Sequence, residues 1–107
     1  MTKVDLAACL EACKACSSKC LACIESCRTS GKEASCCKYC SDCAAVCQAC
    51  VELLSNGSQF ALELCRLCAK ICRACADACS AQNDRQCCVT CVETCKKCAE
   101  ECDKVAA

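Results

Sequence analysis

The placement of cysteine constrains this chain more than any other feature. Cys9, Cys13, Cys16, Cys20, Cys23 and Cys27 step by 4, 3, 4, 3 and 4 residues, which is the spacing of the inward-facing a and d positions of a helical heptad. The rhythm returns in Cys36, Cys40, Cys43, Cys47 and Cys50, with Cys37 beside the first, and in Cys65, Cys68, Cys72, Cys75 and Cys79. It returns again in Cys87 or Cys88, then Cys91, Cys95, Cys98 and Cys102. No two cysteines lie two positions apart, a spacing that would set them on opposite faces of a helix.

The breaks between these runs are polar: Thr29-Ser30-Gly31, Ser55-Asn56-Gly57-Ser58 and Ser80-Ala81-Gln82-Asn83-Asp84, each with residues of the kind that cap helices. Proline is absent, glycine occurs only at Gly31 and Gly57, and 18 residues are alanine, so the segments between breaks favour helix. No stretch reads as an alternating β-branched strand. Four helices of about 20 to 25 residues joined by short loops predict an all-α, antiparallel up-down-up-down four-helix bundle with a Cys-lined core. Residues 1–107 are expected to form one domain.

Charge and length exclude several functions. Thirteen Lys and Arg balance thirteen Asp and Glu, so no basic surplus exists to bind nucleic acid or anionic lipid. The longest uncharged stretch, Leu53 to Leu62, has ten residues, well short of the roughly 18 apolar residues of a membrane span. Residues 1–10 carry Asp5 and no basic segment followed by an apolar run, which predicts no secretory leader and a reducing cytoplasm, where thiols stay thiols or become metal ligands. Without histidine, and without paired carboxylates on the inward stripes, the chain offers no acid/base or hydrolytic constellation and reads as a binding protein rather than an enzyme.

Against 23 cysteines the chain has only 17 Leu, Ile, Val and Phe, so sulfur must fill much of the interior. Cysteine serving only as a small hydrophobe would leave a thin core exposed to oxidation. A disulfide scaffold fits poorly, because the count is odd and Cβ atoms three or four residues apart on a helix are ~5 to 6 Å apart, against ~3.8 Å in a disulfide. Metal binding fits better: ten C-x-x-x-C and nine C-x-x-C pairs project thiols side by side, and a linear S–metal–S unit needs sulfurs about 4.5 Å apart. An all-thiolate site selects Cu(I), Zn(II) or iron–sulfur chemistry. Charge separates these, since a tetrathiolate zinc site is formally minus two and a stack of them in a dry core lacks buried cations, whereas one Cu(I) per thiolate is neutral. Many Cu(I) ions per chain is therefore the favoured cargo, with a zinc or general soft-metal thiolate buffer as the alternative.

Cys37, Cys40, Cys43 and Cys47 also reproduce the C-x2-C-x2-C-x3-C run of bacterial ferredoxins. Gln48 stands where proline would follow, and the run lies inside a helical pattern rather than a loop. The C-x-x-C pairs lack the βαβ context of a thioredoxin-like redox site.

In an alternating bundle Cys27, Cys36, Cys37, Cys79, Cys87 and Cys88 gather at one end. At the other the seam continues as Leu6, Leu54, Phe60 or Ala61, and Val105. This predicts a thiol-rich mouth and an apolar plug, with the N-termini of the second and fourth helices lowering thiol pKa values at the mouth. Phe60, Leu64, Leu67 and Ile71 form a second apolar stripe, either core or a contact between copies. Glu100, Glu101 and Lys104 read as solvated residues, and Tyr39 as a surface or mouth residue.

The run from Cys9 to Cys27, the segment Phe60-Ala-Leu-Glu-Leu-Cys-Arg-Leu-Cys-Ala-Lys-Ile-Cys-Arg-Ala-Cys and the ending Cys98-Ala-Glu-Glu-Cys102-Asp-Lys-Val-Ala-Ala resemble the bacterial copper storage protein family over nearly the whole chain. The resemblance is to the cytosolic branch and implies a homotetramer, a Cu(I) reservoir, and coordination largely by C-x-x-x-C pairs within one helix. Delivery would come from a copper chaperone or a small-thiol copper donor. The chain departs from the family in having no histidine in Gln82-Asn83-Asp84-Arg85-Gln86, and in the added cysteines Cys37, Cys40, Cys50 and Cys87.

Overall fold

A proline-free, alanine-rich chain stays helical until something stops it. The computed structural model describes residues 3–29, 36–81 and 86–106, except for the side chains of Gln86 and Cys87. Among them are four helices: α1 (Lys3–Thr29), α2 (Cys36–Ser55), α3 (Ala61–Ser80) and α4 (Gln86–Ala106). Their inner ends coincide with the polar breaks. Helix α1, at 27 residues, outruns the expected length because nothing from Lys3 to Thr29 interrupts it, and Asp5 in its first turn and Arg28 in its last complement the helix dipole. Ser30, Gly31 and residues 82–85 lie outside the described residues.

The α2–α3 turn shows how a break works. Gly57 adopts φ +66°, a conformation that costs glycine little. It lets the Ser58 amide donate to the Leu53 carbonyl at 3.0 Å and the Gly57 amide to Leu54 at 3.3 Å, a Schellman closure of the last turn. Phe60 then occupies the N-cap of α3 without a side-chain cap, and its amide donates instead to Ser58 Oγ at 3.1 Å.

Helices α1 and α3 each pack against α2 and α4, so α1 lies diagonal to α3 and α2 to α4. The molecule measures 42 × 19 × 18 Å, its length matching the roughly 40 Å of a 27-residue helix. It is narrow because residues flanking the sulfur seam are small: Ala12, Ser17, Ala44, Ala69, Ala76 and Ala99 are buried between helices. Two contacts tie α3 to α4, Arg66 donating to the Ala106 carbonyl at 3.1 Å and Arg73 pairing with Asp103. No described helix is long and apolar enough to cross a membrane.

At one end Val105, Ala106 and Ala61 are buried, and Leu6, Leu54 and Leu62 are partly buried against the core. The plug thus uses Ala61, not Phe60, which is 57% exposed at the outer edge of the turn. Of the second stripe, Leu67 is 47% exposed while Leu64 and Ile71 are half-buried. Tyr39 is at the surface, as expected. Glu101 is not solvated: its side chain is 4% exposed, held between Lys97 at 3.2 Å and Lys104 at 3.0 Å, while Glu100 and Lys104 face solvent.

Candidate metal site

The heptad steps of four antiparallel helices bring their sulfurs to common heights. On α1, Cys9, Cys13, Cys16, Cys20 and Cys23 face Cys102, Cys98, Cys95, Cys91 and Cys88 of α4, with Sγ separations of 3.8, 3.7, 3.7, 3.7 and 3.8 Å. Helices α2 and α3 match in the same way: Cys47 with Cys68 at 3.7 Å, Cys43 with Cys72 at 3.5 Å and Cys40 with Cys75 at 3.7 Å. Sulfurs also meet across the α2–α4 diagonal, Cys36 with Cys88 at 4.0 Å, Cys40 with Cys91 at 3.9 Å, Cys43 with Cys95 at 3.9 Å and Cys47 with Cys98 at 3.8 Å.

The result is five levels, each taking one cysteine from every helix. Counted from the apolar plug they are Cys9, Cys50, Cys65 and Cys102; then Cys13, Cys47, Cys68 and Cys98; then Cys16, Cys43, Cys72 and Cys95; then Cys20, Cys40, Cys75 and Cys91; and last Cys23, Cys36, Cys79 and Cys88. All of these are buried. Successive levels also touch: Cys13 with Cys102 at 3.9 Å, Cys68 with Cys72 at 3.8 Å, Cys91 with Cys95 at 3.8 Å and Cys40 with Cys79 at 3.7 Å. The sulfur column is continuous from plug to mouth over about 21 Å, the rise of the helix from Cys9 to Cys23.

Cysteines outside the levels sit at the mouth. Cys27 is buried one step beyond the last level, and Cys88 rather than Cys87 occupies the seam of α4. The side chain of Cys87 lies outside the described residues. Cys37 departs from the Cys-lined core: it is only half-buried, because Cys36 holds the seam and the next residue is turned by about 100°.

Several groups of four sulfurs lie within 4.8 Å of one another, among them Cys13, Cys68, Cys98 and Cys102; Cys16, Cys43, Cys47 and Cys72; and Cys20, Cys40, Cys75 and Cys91. None of the described cysteines is in a disulfide. Most of the close contacts bridge helices. Within a helix, C-x-x-x-C pairs reach the same range at Cys68–Cys72 and Cys91–Cys95, both 3.8 Å.

No basic side chain enters the sulfur column: the buried polar side chains among the described residues are Ser17 and Glu101. Hydrogen bonds between thiols split their proton affinities: Cys47 is held well above its ordinary range by Cys13, Cys16, Cys43 and Cys68, and Cys20 by Cys16, Cys40, Cys43 and Cys75, whereas Cys16 is held well below it by Cys20, Cys43, Cys47 and Cys72, and Cys102 by Cys13, Cys50, Cys65 and Cys68. At the mouth, burial pushes Cys36 up to about 11, with the neighbouring Cys88 sulfur adding to it. This reverses the expectation of a lowered pKa there, since removal from water outweighs the N-terminus of α2.

The family model of the copper storage proteins (Csp) matches residues 2–107. Among solved structures, apo copper storage protein 3 of Bacillus subtilis is 36% identical with a TM-score of 0.86, covering 94% of this chain and 97% of its own. The Cu(I)-bound copper storage protein BsCsp3 is 33% identical with a TM-score of 0.88, covering 96% of this chain and 99% of its own. The Nmul_A1745 protein of Nitrosospira multiformis is 36% identical with a TM-score of 0.87, covering 98% of this chain and 97% of its own. No curated protein sequence matches. A sulfur-lined four-helix bundle, a family match over nearly its full length and two copper storage protein structures of the same fold, one apo and one Cu(I)-bound, lead to one conclusion: the chain belongs to the copper storage protein family.

Proposed function

We propose that the chain stores and sequesters Cu(I) on its core thiolates at a loading that approaches one ion per cysteine. The observation that carries this is the continuous, cation-free sulfur column. Filled with one Cu(I) per thiolate it stays neutral, and low-coordinate Cu(I) accepts two or three sulfurs drawn from one level or from two. Each bound ion displaces a thiol proton. The 23 cysteines are the proposed ligands, Cys37 and Cys87 serving at the mouth. The role is storage rather than catalysis.

The finer parts of the reading rest on other grounds. A cytoplasmic location is supported by the cysteine spacing, which suits thiol ligands rather than disulfides and so a reducing compartment. Assembly into a homotetramer is supported by the family and by the partly exposed Phe60 and Leu67 on one face of α3. Delivery by a copper chaperone or a small-thiol copper donor suits an ion that is not free in cells.

Anaerobic titration of the reduced apo chain with Cu(I) against a chromophoric Cu(I) chelator tests the proposal. The expected plateau approaches the 23 cysteines before the competitor takes copper. A plateau near five ions, about one per four-sulfur level, with zinc retained in competition, would replace the copper reading by a tetrathiolate zinc buffer.

A further inference from the structure

Copper neutralises thiolates one by one, but the fourth level is also shaped for a different ion. The sulfurs of Cys20, Cys40, Cys75 and Cys91 all lie within 4.8 Å of one another, with Cys20–Cys91 at 3.7 Å, Cys40–Cys91 at 3.9 Å and Cys40–Cys75 at 3.7 Å. Four points meeting all these limits cannot be coplanar without two sulfurs interpenetrating, so the level is puckered into a tetrahedron. A metal–sulfur bond of about 2.3 Å sets the edge of a regular tetrathiolate at about 3.8 Å. The three separations bracket that value.

We propose that, in the copper-free protein, Cys20, Cys40, Cys75 and Cys91 bind one divalent thiophilic ion of the zinc and cadmium class as a tetrahedral tetrathiolate, which Cu(I) later displaces. The balance is four thiols plus M2+ giving [M(SR)4]2− and four protons. Displacement takes four Cu(I), which leave four neutral copper thiolates and return M2+ to solution.

Two features favour this quartet over the compact quartets that mix two levels. It takes one sulfur from each helix, so a single ion clamps all four without sliding any of them along the axis. Cys13, Cys68, Cys98 and Cys102, by contrast, take two from α4, and Cys16, Cys43, Cys47 and Cys72 take two from α2. Cys40, the fifth residue of α2, and Cys91, the sixth of α4, also lie nearer to helix N-termini than any sulfur of those mixed quartets, where the dipole adds a modest positive potential. The nearest sulfurs of Cys13, Cys68, Cys98 and Cys102 to their own helix N-termini are eight or more residues in. A second such ion one level away would stand only about 5 Å from the first, the rise over three or four helical residues, and like charges that close in a dry core repel strongly. The level therefore takes one ion while its neighbours remain protonated.

The probe is isotopically enriched Cd2+, added anaerobically at one equivalent to the reduced full-length chain and followed by cadmium–proton correlation spectroscopy. The expected result is a single tetrathiolate cadmium resonance coupled to the β-protons of Cys20, Cys40, Cys75 and Cys91. In the Cys20→Ser, Cys75→Ser double variant that resonance should be lost, and in Cys9→Ser it should persist, with circular dichroism confirming that each remains helical. Correlations to other cysteines, several resonances at one equivalent, or mixed sulfur and oxygen ligation would overturn the proposal. Cu(I) uptake measured on the same samples keeps the two readings separate: a chain that loads copper fully but gives a scattered cadmium signal refutes this site alone. Cadmium retained when Cu(I) is added to full loading, one ion per cysteine, refutes the displacement step.

Discussion

Glu101 shows how much a single side chain can depend on its neighbours. Its carboxylate is held below the usual range by Lys104 first, against the opposing effect of burial, and then by Lys97. A carboxylate whose pKa is lowered in the folded state adds stability above its unfolded pKa, and that stability is lost as pH falls through the folded value. Because both lysine heads are in water, the gain is small. Glu101→Gln is expected to cost about 0.5 to 1 kcal/mol at neutral pH, with wild type and variant converging below roughly pH 4; urea unfolding of the apo protein across pH measures both. The heptad rhythm already separates Glu101 from Glu100, with Glu101 at g beside the seam and Glu100 at the outward f position, and the i−4 and i+3 lysines that pair with Glu101 were there in the sequence. Cys36 differs: its place at a helix start was legible, whereas the depth of its burial depends on Cys88 and Cys79, which arrive from two other helices.

At the scale of helices, the sequence shows where each one runs because sulfur marks the inner face and polar breaks mark the ends. The junctions are less legible. Phe60 and Ala61 compete for the same seam position, and only the Schellman turn at Gly57, which ends α2 and aims the next residues outward, decides for Ala61. That turn can be tested directly. A Cβ added at Gly57 meets nothing within 4 Å, so Gly57→Ala introduces no clash and reports only the cost of a positive φ. The expected loss is about 1 kcal/mol, with copper capacity unchanged; an unaltered unfolding midpoint would mean that the turn relaxes to another conformation.

For the molecule as a whole, the level structure makes metal binding and folding one equilibrium. Copper bound to sulfurs of different helices stabilises only their assembled arrangement, so at free Cu(I) about a hundredfold above the dissociation constant each independent site adds roughly 2.7 kcal/mol. The loaded protein is expected to melt well above the apo form in anaerobic calorimetry. Coincident transitions would place the copper outside the column. Replacing Cys36, Cys37, Cys87 and Cys88 by Ser is expected to slow Cu(I) uptake in stopped-flow measurements more than it lowers final capacity, since four full levels and half of the fifth remain. Unchanged kinetics would mean that copper is admitted elsewhere along the bundle.

The apolar plug has a consequence for time rather than for structure. A continuous column closed by Val105, Ala61 and Ala106 at one end and filled from the other behaves as a stack: what arrives first is pushed deepest and leaves last. If the protein is loaded to half capacity with one copper isotope, then filled with a second and partly stripped by a chelator, the released metal should be enriched in the second isotope. An even mixture would show instead that ions exchange places along the sulfurs faster than they leave, so that the column keeps no history of its own filling.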